Sequence, residues 1–500
     1  MELLEFKNKL FALLQISKRE ELESALLSAV LSHDIDIFNG YKKITDESKD
    51  WLQALWQYYK ADRVEKKQDY TPRSICNLVT ALAGDCETVY DSCAGSGALS
   101  CRLAEHNSLE HVNAVELDER VIPVLLFNLC LKNVNATVRN ADILTGNIYP
   151  PGYELKSTED YSICQQVDYS IIKKADVAVC NPPYNLRWEP TMRIPWSEEF
   201  DIIPPRSSAN WAFALNALSF ADKAIMIMPQ SIFSNDQEKG VRKYLIDHDL
   251  IEAIIALPDR MFEATSIGTC IVVLNKSKRQ TGVIKFIDSR NNHVVEKRAQ
   301  NGQFGGASHT NRTYEKAYNV LSLENIDKII NAPENQAGFS STQKNSDIAE
   351  NEYFLTPSRY IEMDQLEEKP HRSLQDIADN INAIVAMKNS CKLVINETLA
   401  KNLGLDVTLF KEDVETSKNM VSQQKQIGIK LIEDDYISFS KAKNEMVFKC
   451  NDKDILPEVM KQFLPIWKNH VATLNALENV YLKELRDAVL PDLMSGKIEI

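Results

Sequence analysis

Apolar residues in the first 62 positions recur at three-and-four spacing: Leu3, Leu4, Phe6, Leu10, Leu13 and Leu14, then Leu22, Leu26, Leu27 and Val30. That period predicts helices, and with no chemical motif of its own the block reads as a small helical domain over residues 1–62, a packing or partner surface. Between about Asp69 and Asp288 the pattern changes. Short β-branched runs at Thr88–Tyr90, Val112–Val115, Val177–Cys180, Ala224–Met228, Ile251–Ile255, Cys270–Leu274 and Val283–Ile287 alternate with helical stretches such as Ala98–Glu105, Arg120–Leu131, Trp211–Phe220 and Gln237–Asp247. Such alternation predicts a doubly wound α/β sheet with helices on both faces, within a domain over residues 63–335, and ligands gathered at the carboxyl ends of its strands. The polar, turn-rich run from Asn331 to Asn351 predicts a linker, placed at 336–351. Residues 352–500 read as mostly helical. Near their end Phe463, Trp467, Val471, Leu474, Leu477, Tyr481 and Leu485 describe one long amphipathic, coiled-coil-like helix.

Composition narrows the class. With 500 residues, 44% hydrophobic and 26% charged, the chain has material for two or three domains with proper cores. It has no signal-like start, and its longest near-continuous apolar stretch, Val121 to Leu131, is too short to span a bilayer, so a cytoplasmic protein without membrane contact is expected. Ten cysteines without a Cys-x-x-Cys pair and eight histidines without metal spacing indicate neither a disulfide frame nor a metal site. The net charge of −14 is that of an acidic protein, whereas a chain that grips DNA by itself carries a basic face. If DNA is a ligand, positive charge is local or a second chain supplies it.

Chemistry concentrates at predicted strand ends. Asn181-Pro182-Pro183-Tyr184 follows the apolar run Val177-Ala178-Val179-Cys180. Two prolines stiffen the turn and remove backbone donors. The Asn181 side chain and a backbone carbonyl can accept from one NH2 group, with the Tyr184 ring stacked on the heterocycle that carries it. Upstream, Asp91-Ser92-Cys93-Ala94-Gly95-Ser96-Gly97 closes a strand and opens a helix. Gly95 and Gly97 permit close backbone approach, and Asp91 suits an ammonium group. Glu116 ends the next strand, where a carboxylate can bind both ribose hydroxyls. Asp142 ends the third, where an acid can accept from an adenine amine while Leu117 or Ile143 packs on the ring. Ammonium, ribose and adenine in chain order describe S-adenosylmethionine. Before all of these comes Tyr70-Thr71-Pro72. There Thr71 can cap a helix with Pro72 at its first position, and the helix start can face the methionine carboxylate. Each piece alone also fits a stiff turn, a structural glycine bend or a strand-end cap; their order is the argument.

This set resembles the amino-group DNA methyltransferases, and among them the modification subunit of type I restriction systems. Further phrases carry the resemblance: Ser208-Ala209-Asn210-Trp211-Ala212-Phe213, Met228-Pro229-Gln230, Leu257-Pro258-Asp259-Arg260-Met261-Phe262 and Ile267 to Lys276. It covers roughly residues 65–335. The departures are Ser92, Ala94 and Ala98, where the family loop commonly has Pro, Cys and Gly, and Tyr184, where relatives often have Phe. The resemblance implies a Rossmann-like, S-adenosylmethionine-dependent enzyme that flips adenine from duplex DNA and methylates its N6 by direct transfer. Asn181, Pro182, Pro183 and Tyr184 would be catalytic. Tyr70, Thr71, Pro72, Asp91, Gly95, Gly97, Glu116, Leu117, Asp142 and Ile143 would hold the cofactor. The loop Asn185–Arg206, with Arg187, Trp188, Arg193, Trp196 and Arg206, would close over DNA. The tail Leu482 to Ile498 is similar to the closing segment of the type I specificity subunit. This implies assembly with a specificity subunit and a second methyltransferase subunit, and with a restriction subunit as a further candidate. Methylation of protein glutamine or ribosomal RNA amines, and an assembly module dependent on a specificity partner, stay open as alternatives.

Overall fold

A computed structural model describes residues 3–46, 50–59, 71–168, 170–190, 195–262, 267–301, 313–362, 372–394, 437–440, 445–448, 470 and 473–489. The chain divides into two units, Met1–Asp364 and Gln365–Ile500.

The first unit opens with four helices, α1 (Leu3–Leu13), α2 (Leu22–Leu31), α3 (Ile35–Ile44) and α4 (Trp51–Tyr59). Asp34 caps α3 by accepting from the Ile37 N–H at 3.0 Å. The apolar stripes of this block do not close on themselves. Phe6, Leu10, Leu26 and Phe38 share one core with Val112, Phe127, Val138 and Tyr161 of the sheet region, and the Phe38 ring lies 5.0 Å from Phe127 and 4.9 Å from Tyr161. The N-terminal helices therefore cover one flank of the sheet.

After α5 (Arg73–Ala83) come β1 (Thr88–Asp91), α6 (Ala98–His106), β2 (His111–Glu116), α7 (Ile122–Leu131), β3 (Ala136–Asp142), β4 (Asn147–Lys156), β5 (Ile163–Val167), β6 (Ala175–Cys180), α8 (Asn210–Ser219), β7 (Ala221–Pro229), α9 (Lys239–Asp247), β8 (Ile251–Ala256), β9 (Thr269–Asn275) and β10 (Val283–Asp288). The unit ends with β11 (Val294–Asn301), β12 (Thr313–Val320), α10 (Leu323–Ile330), β13 (Ser340–Lys344) and α11 (Asn345–Glu350). Eleven strands form one sheet in the order β13-β10-β8-β9-β7-β6-β1-β2-β3-β4-β5. Strands β3, β2, β1, β6 and β7 run parallel, and β9 is inserted antiparallel between β7 and β8. β6 (Val177-Ala178-Val179-Cys180) and β9 (Cys270-Ile271-Val272-Val273-Leu274) are continuous apolar runs because helices bury both faces, whereas β3 interleaves Thr137, Arg139 and Asn140. The doubly wound α/β expectation holds, and all seven expected strands are present.

Two expectations change. The stretch 336–351 is not a linker: Ser340–Lys344 pairs antiparallel with β10 as an edge strand, and Ile348 of α11 is fully buried. Its serines and threonines made a half-buried strand look like a loop. The polar hairpin β4–β5, with most of its side chains at least partly exposed, also escaped the apolar pattern.

In the second unit, α12 (Leu374–Val394) and a helix over 473–489 run antiparallel, joined by Arg372–Glu484 at 2.7 Å and Lys388–Glu478 at 2.6 Å. A short hairpin, β14 (Ile437–Ser440) with β15 (Glu445–Phe448), adds strand to a region expected to be mostly helical. Of the expected long amphipathic helix, Leu474, Leu477, Tyr481 and Leu485 lie on the helix over 473–489, while Phe463, Trp467 and Val471 lie outside the described residues. Among the described residues no helix is long and apolar enough to cross a membrane.

Candidate active site

β1 sits between β2 and β6, so the loops leaving its carboxyl end and theirs diverge and open a crevice above the sheet. A cavity of about 650 Å³ occupies it, walled by the loops after β1, β2, β3 and β6.

The wall after β1 is built around two left-handed glycines, Gly95 at φ +53° and Gly97 at φ +87°. The loop crosses toward β2, with the Ala94 N–H donating to the Val115 carbonyl at 3.0 Å. The Gly95 N–H donates to Glu116 Oε2 and the Asp118 N–H to Glu116 Oε1, each at 2.7 Å. The Glu116 carboxylate is thus held from both sides at the cavity wall. Burial raises its pKa, and the two backbone donors oppose that shift. Asn140 of β3 donates its Nδ2 to the carbonyls of Glu116 at 2.8 Å and Leu117 at 2.9 Å, which fixes the turn carrying both. Asp142 closes a local turn, its Oδ1 accepting from the Leu144 N–H at 2.9 Å. Leu117 and Ile143 bring apolar surface to the same cavity.

Two hydroxyls on this wall, Ser92 Oγ and Ser96 Oγ, are buried without a hydrogen-bond partner among the described residues. Orphaned donors beside a clamped carboxylate and apolar plates suit a ligand with both a polar and a ring portion. Asp91 is placed differently. It lies beneath the loop at 1% exposure and is absent from the wall; its Oδ2 accepts from Ser100 Oγ at 2.7 Å while Oδ1 is buried with no partner among the described residues. Burial pushes its pKa up to about 7; the Ser100 bond opposes this and the Glu116 charge adds to it.

Across the cavity, Asn181 leaves β6 beside the end of β1, since Asp91 pairs with Val179. Its Nδ2 donates to Thr71 Oγ1 at 2.9 Å and its Oδ1 accepts from the Tyr184 hydroxyl at 3.0 Å. The two contacts set the direction of the carboxamide. They also correct the reading of Thr71. α5 starts at Arg73 with Pro72 as the flanking N-cap, not the first helical residue, and no side chain caps it. The Thr71 hydroxyl turns to Asn181 instead. Half-buried Tyr184 packs edge-on to Phe262, ring centroids 6.3 Å apart.

Thr71, Gly95, Glu116, Leu117, Asp142, Ile143 and Asn181 to Tyr184 therefore wall one cavity. Pro72, Asp91 and Gly97 stand behind it, and Tyr70 and Arg193 lie outside the described residues. Of the loop residues, Arg187 is exposed at the cavity rim, and exposed Arg206 pairs with Glu189 at 3.1 Å. Trp188 does not fit a base-stacking role. It is 6% exposed, its Nε1 donates to the Pro205 carbonyl at 3.1 Å, and its ring packs 5.7 Å from that of Trp196, which is itself buried. The two tryptophans belong to the core that one face of the sheet shares with Tyr90, Trp211 and Phe213, and Trp188 reaches the cavity wall from it. Sequence reasoning missed Asn140, Ser92 and Ser96; an Asn two residues before the strand-end Asp142 was the available signal for the first.

Residues 51–369 match the family model described as N-6 DNA Methylase. The methylase subunit of the type I restriction enzyme MpnII from Mycoplasma pneumoniae is 27% identical, over 76% of this chain and 68% of that protein. The MjaVIII methylase subunit from Methanocaldococcus jannaschii is 25% identical, over 76% of this chain and 64% of its own length. Among solved structures, the type I restriction-modification methyltransferase subunit from Streptococcus thermophilus superposes with a TM-score of 0.50 at 22% identity, covering 72% of this chain and 74% of that one.

Proposed function

The chain belongs to the N-6 DNA methylase family, and on that premise we propose that Asn181 to Tyr184 deliver a methyl group to N6 of adenine in duplex DNA, within the modification subunit of a type I restriction system. The observation that carries the proposal is the oriented Asn181 carboxamide, set beside an aromatic ring on a cavity whose opposite wall fits S-adenosylmethionine.

On that wall the two Glu116 oxygens would accept from the ribose hydroxyls, and Leu117 and Ile143 would offer apolar surface to the adenine near Asp142. Ser92 and Ser96 gain the partners they lack. Asp91 lies below as a buried carboxyl whose pKa is raised to about 7, and a cation above it would favour its charged form. S-adenosylmethionine, when bound, supplies a methyl group on a positively charged sulfur. The protein's task is positioning. The target base leaves its stack, at a cost on the order of a few kcal/mol, and Tyr184 covers its face. Asn181 Oδ1, which has two lone pairs, and the Pro182 carbonyl accept from the amine hydrogens and turn the nitrogen lone pair into the cavity. Direct transfer would exchange the methyl–sulfur bond for a methyl–nitrogen bond, leave a neutral thioether and release one amine proton to solvent past the acceptors that hold it, so the chain's part is orientation rather than a covalent nucleophile.

Choice of sequence belongs to a partner. The relatives are named as subunits of type I restriction enzymes, the chain carries a net charge of −14, and the helix over 473–489 exposes Leu477 and Val480. These support assembly with a specificity subunit through the second unit.

The test is incubation with labelled S-adenosylmethionine and DNA from cells lacking the gene, with total cell protein and ribosomal RNA as parallel arms. Label is expected in DNA as N6-methyladenine and absent in the Asn181→Ala variant. Label confined to protein or RNA refutes the proposal.

A further inference from the structure

The residue after the catalytic turn is held in an unusual way. Asn185 has φ +52°, a left-handed conformation that side-chain-bearing residues adopt rarely. Its backbone N–H donates to Asn210 Oδ1 at 3.0 Å, and Asn210 Nδ2 donates back to Asn185 Oδ1 at 3.0 Å, so two asparagines close a reciprocal pair. The tether continues along the chain. The Ala209 N–H donates to the Leu186 carbonyl at 2.8 Å and the Trp188 N–H to the Arg206 carbonyl at 3.0 Å, so residues 185–188 run beside residues 206–210.

Asn210 is itself anchored from beneath. It opens α8 at 1% exposure, and its Nδ2 also reaches Glu238 Oε1 at 3.4 Å, an oxygen that accepts from Ser208 Oγ at 2.6 Å. Glu238 is fully buried. So is Arg242, which donates to the carbonyls of Asn235 at 2.7 Å, Tyr353 at 2.8 Å and Ile232 at 3.1 Å. Burial raises the Glu238 pKa, and the Ser208 hydroxyl and the Arg242 charge oppose the rise. Buried charge contributes little net stability, whereas it fixes one arrangement of its neighbours.

We propose that Asn210, seated on Glu238, is a positioning residue for methyl transfer: it locks Asn185 in the left-handed conformation and thereby sets the direction in which Tyr184 and the Pro182 carbonyl face the target base. The phrase Ser208-Ala209-Asn210 is thus the brace of the catalytic turn. The inference rests on the reading of Asn181 to Tyr184 as the amine holder.

The test uses the full chain with its cellular partners, DNA from cells lacking the gene, and labelled S-adenosylmethionine, with calorimetric measurement of cofactor binding. Asn210→Ala is expected to lower turnover at saturating DNA and cofactor at least tenfold while the cofactor Kd stays within twofold, because the cofactor wall is built by β1 to β3. Asn185 is exposed, so Asn185→Val forces the backbone out of the left-handed region without opening the core, and the same split is expected. This second variant decides the matter if Asn210→Ala does not fold. Full turnover in either folded variant overturns the proposal. So does a parallel loss of cofactor binding in Asn210→Ala, which would mark a general support of the fold. Full turnover in Asn181→Ala overturns the reading of the turn, and the brace with it.

Discussion

Asp91 offers the sharpest quantitative test, because its charge is both buried and near neutrality. Its Oδ2 accepts from the Ser100 hydroxyl at 2.7 Å, and the hydrogen bonds from Ser100 and the Cys93 backbone only partly oppose the effect of burial. Burial moves its pKa from 3.8 to about 7. Between those pH values the folded chain holds a proton that the unfolded chain has lost, so stability falls as pH rises from about 4 to 7. Above 7 the full penalty stands, about 4 kcal/mol from the pKa difference. Asp91→Asn keeps the shape and an acceptor for Ser100 while removing the charge. The variant should exceed the parent in stability by up to about 4 kcal/mol at pH 8, and that gain should vanish toward pH 4. Urea denaturation at pH 4.5, 6 and 8, followed by tryptophan fluorescence, measures this. A cation bound above Asp91 favours its charged form, so S-adenosylmethionine binding should release up to about three-quarters of a proton near pH 6.5 in the parent and none from this site in the variant. Calorimetry in buffers of different ionisation enthalpy reads the proton count. A stability difference independent of pH, together with equal proton release in both proteins, would refute the reasoning.

Glu116→Gln must turn an amide NH2 toward the Gly95 or Asp118 N–H that now donates to a carboxylate oxygen. Cofactor affinity should fall by roughly 2–3 kcal/mol, on the order of a hundredfold in Kd by calorimetry, and an unchanged Kd would exclude the ribose role. Thr71→Val removes the hydroxyl that accepts from Asn181. Turnover should drop about tenfold, the value of one hydrogen bond, with an unchanged cofactor Kd; a shift in Kd instead would return Thr71 to the cofactor. Gly97→Ala places a methyl group 2.8 Å from Leu125 Cδ1 at φ +87°. Strain and overpacking together should destabilise by about 2–4 kcal/mol, read as a lower unfolding midpoint. DNA binding by this chain alone should show a weak salt dependence, a slope of about −1 to −2 in log K against log salt, if Arg187 and Arg206 supply its phosphate contacts. A slope near −6 would point to a basic face elsewhere on the chain.

The central sheet was legible because buried parallel strands are written as unbroken β-branched runs, and all seven expected strands occur. The wall of the cavity was legible for a related reason. At a strand's carboxyl end a Gly, Pro, Asp or Asn interrupts the apolar run, so Gly95, Glu116, Asp142 and Asn181 stand out against their neighbours. Partners distant in sequence did not. Nothing local says that the Thr71 hydroxyl meets Asn181 across 110 positions, or that Asn210 meets Asn185, since the pairing depends on strand order. Trp188 was misassigned because an aromatic beside an arginine in a loop looks like a base platform, and only burial against Trp196 separates the two uses. β13 and the β4–β5 hairpin were missed because edge strands bury one face at most and leave a weak apolar signal.

Charge divides the cavity along the same line as the strand order. Glu116, Asp118 and Asp142 line the side that follows β2 and β3, where Arg120 pairs with Asp118 at 2.8 Å, while Arg187 lines the side that follows β6, beside Glu189. Acids on one side draw a cation and repel phosphate, so on the proposed reading the cofactor enters over β1 to β3 and DNA approaches over the loop after β6. That loop is poorly provided for the task. Arg206 is exposed and already faces Glu189, and an exposed pair of this kind, worth about 0–1 kcal/mol, can open for a phosphate without adding much affinity. On that reading, the acids that suit a sulfonium cofactor also disfavour phosphate on their side of the cavity. On the same reading, an amine holder set across the crevice from a carboxylate-lined wall calls for a partner subunit that supplies the basic surface.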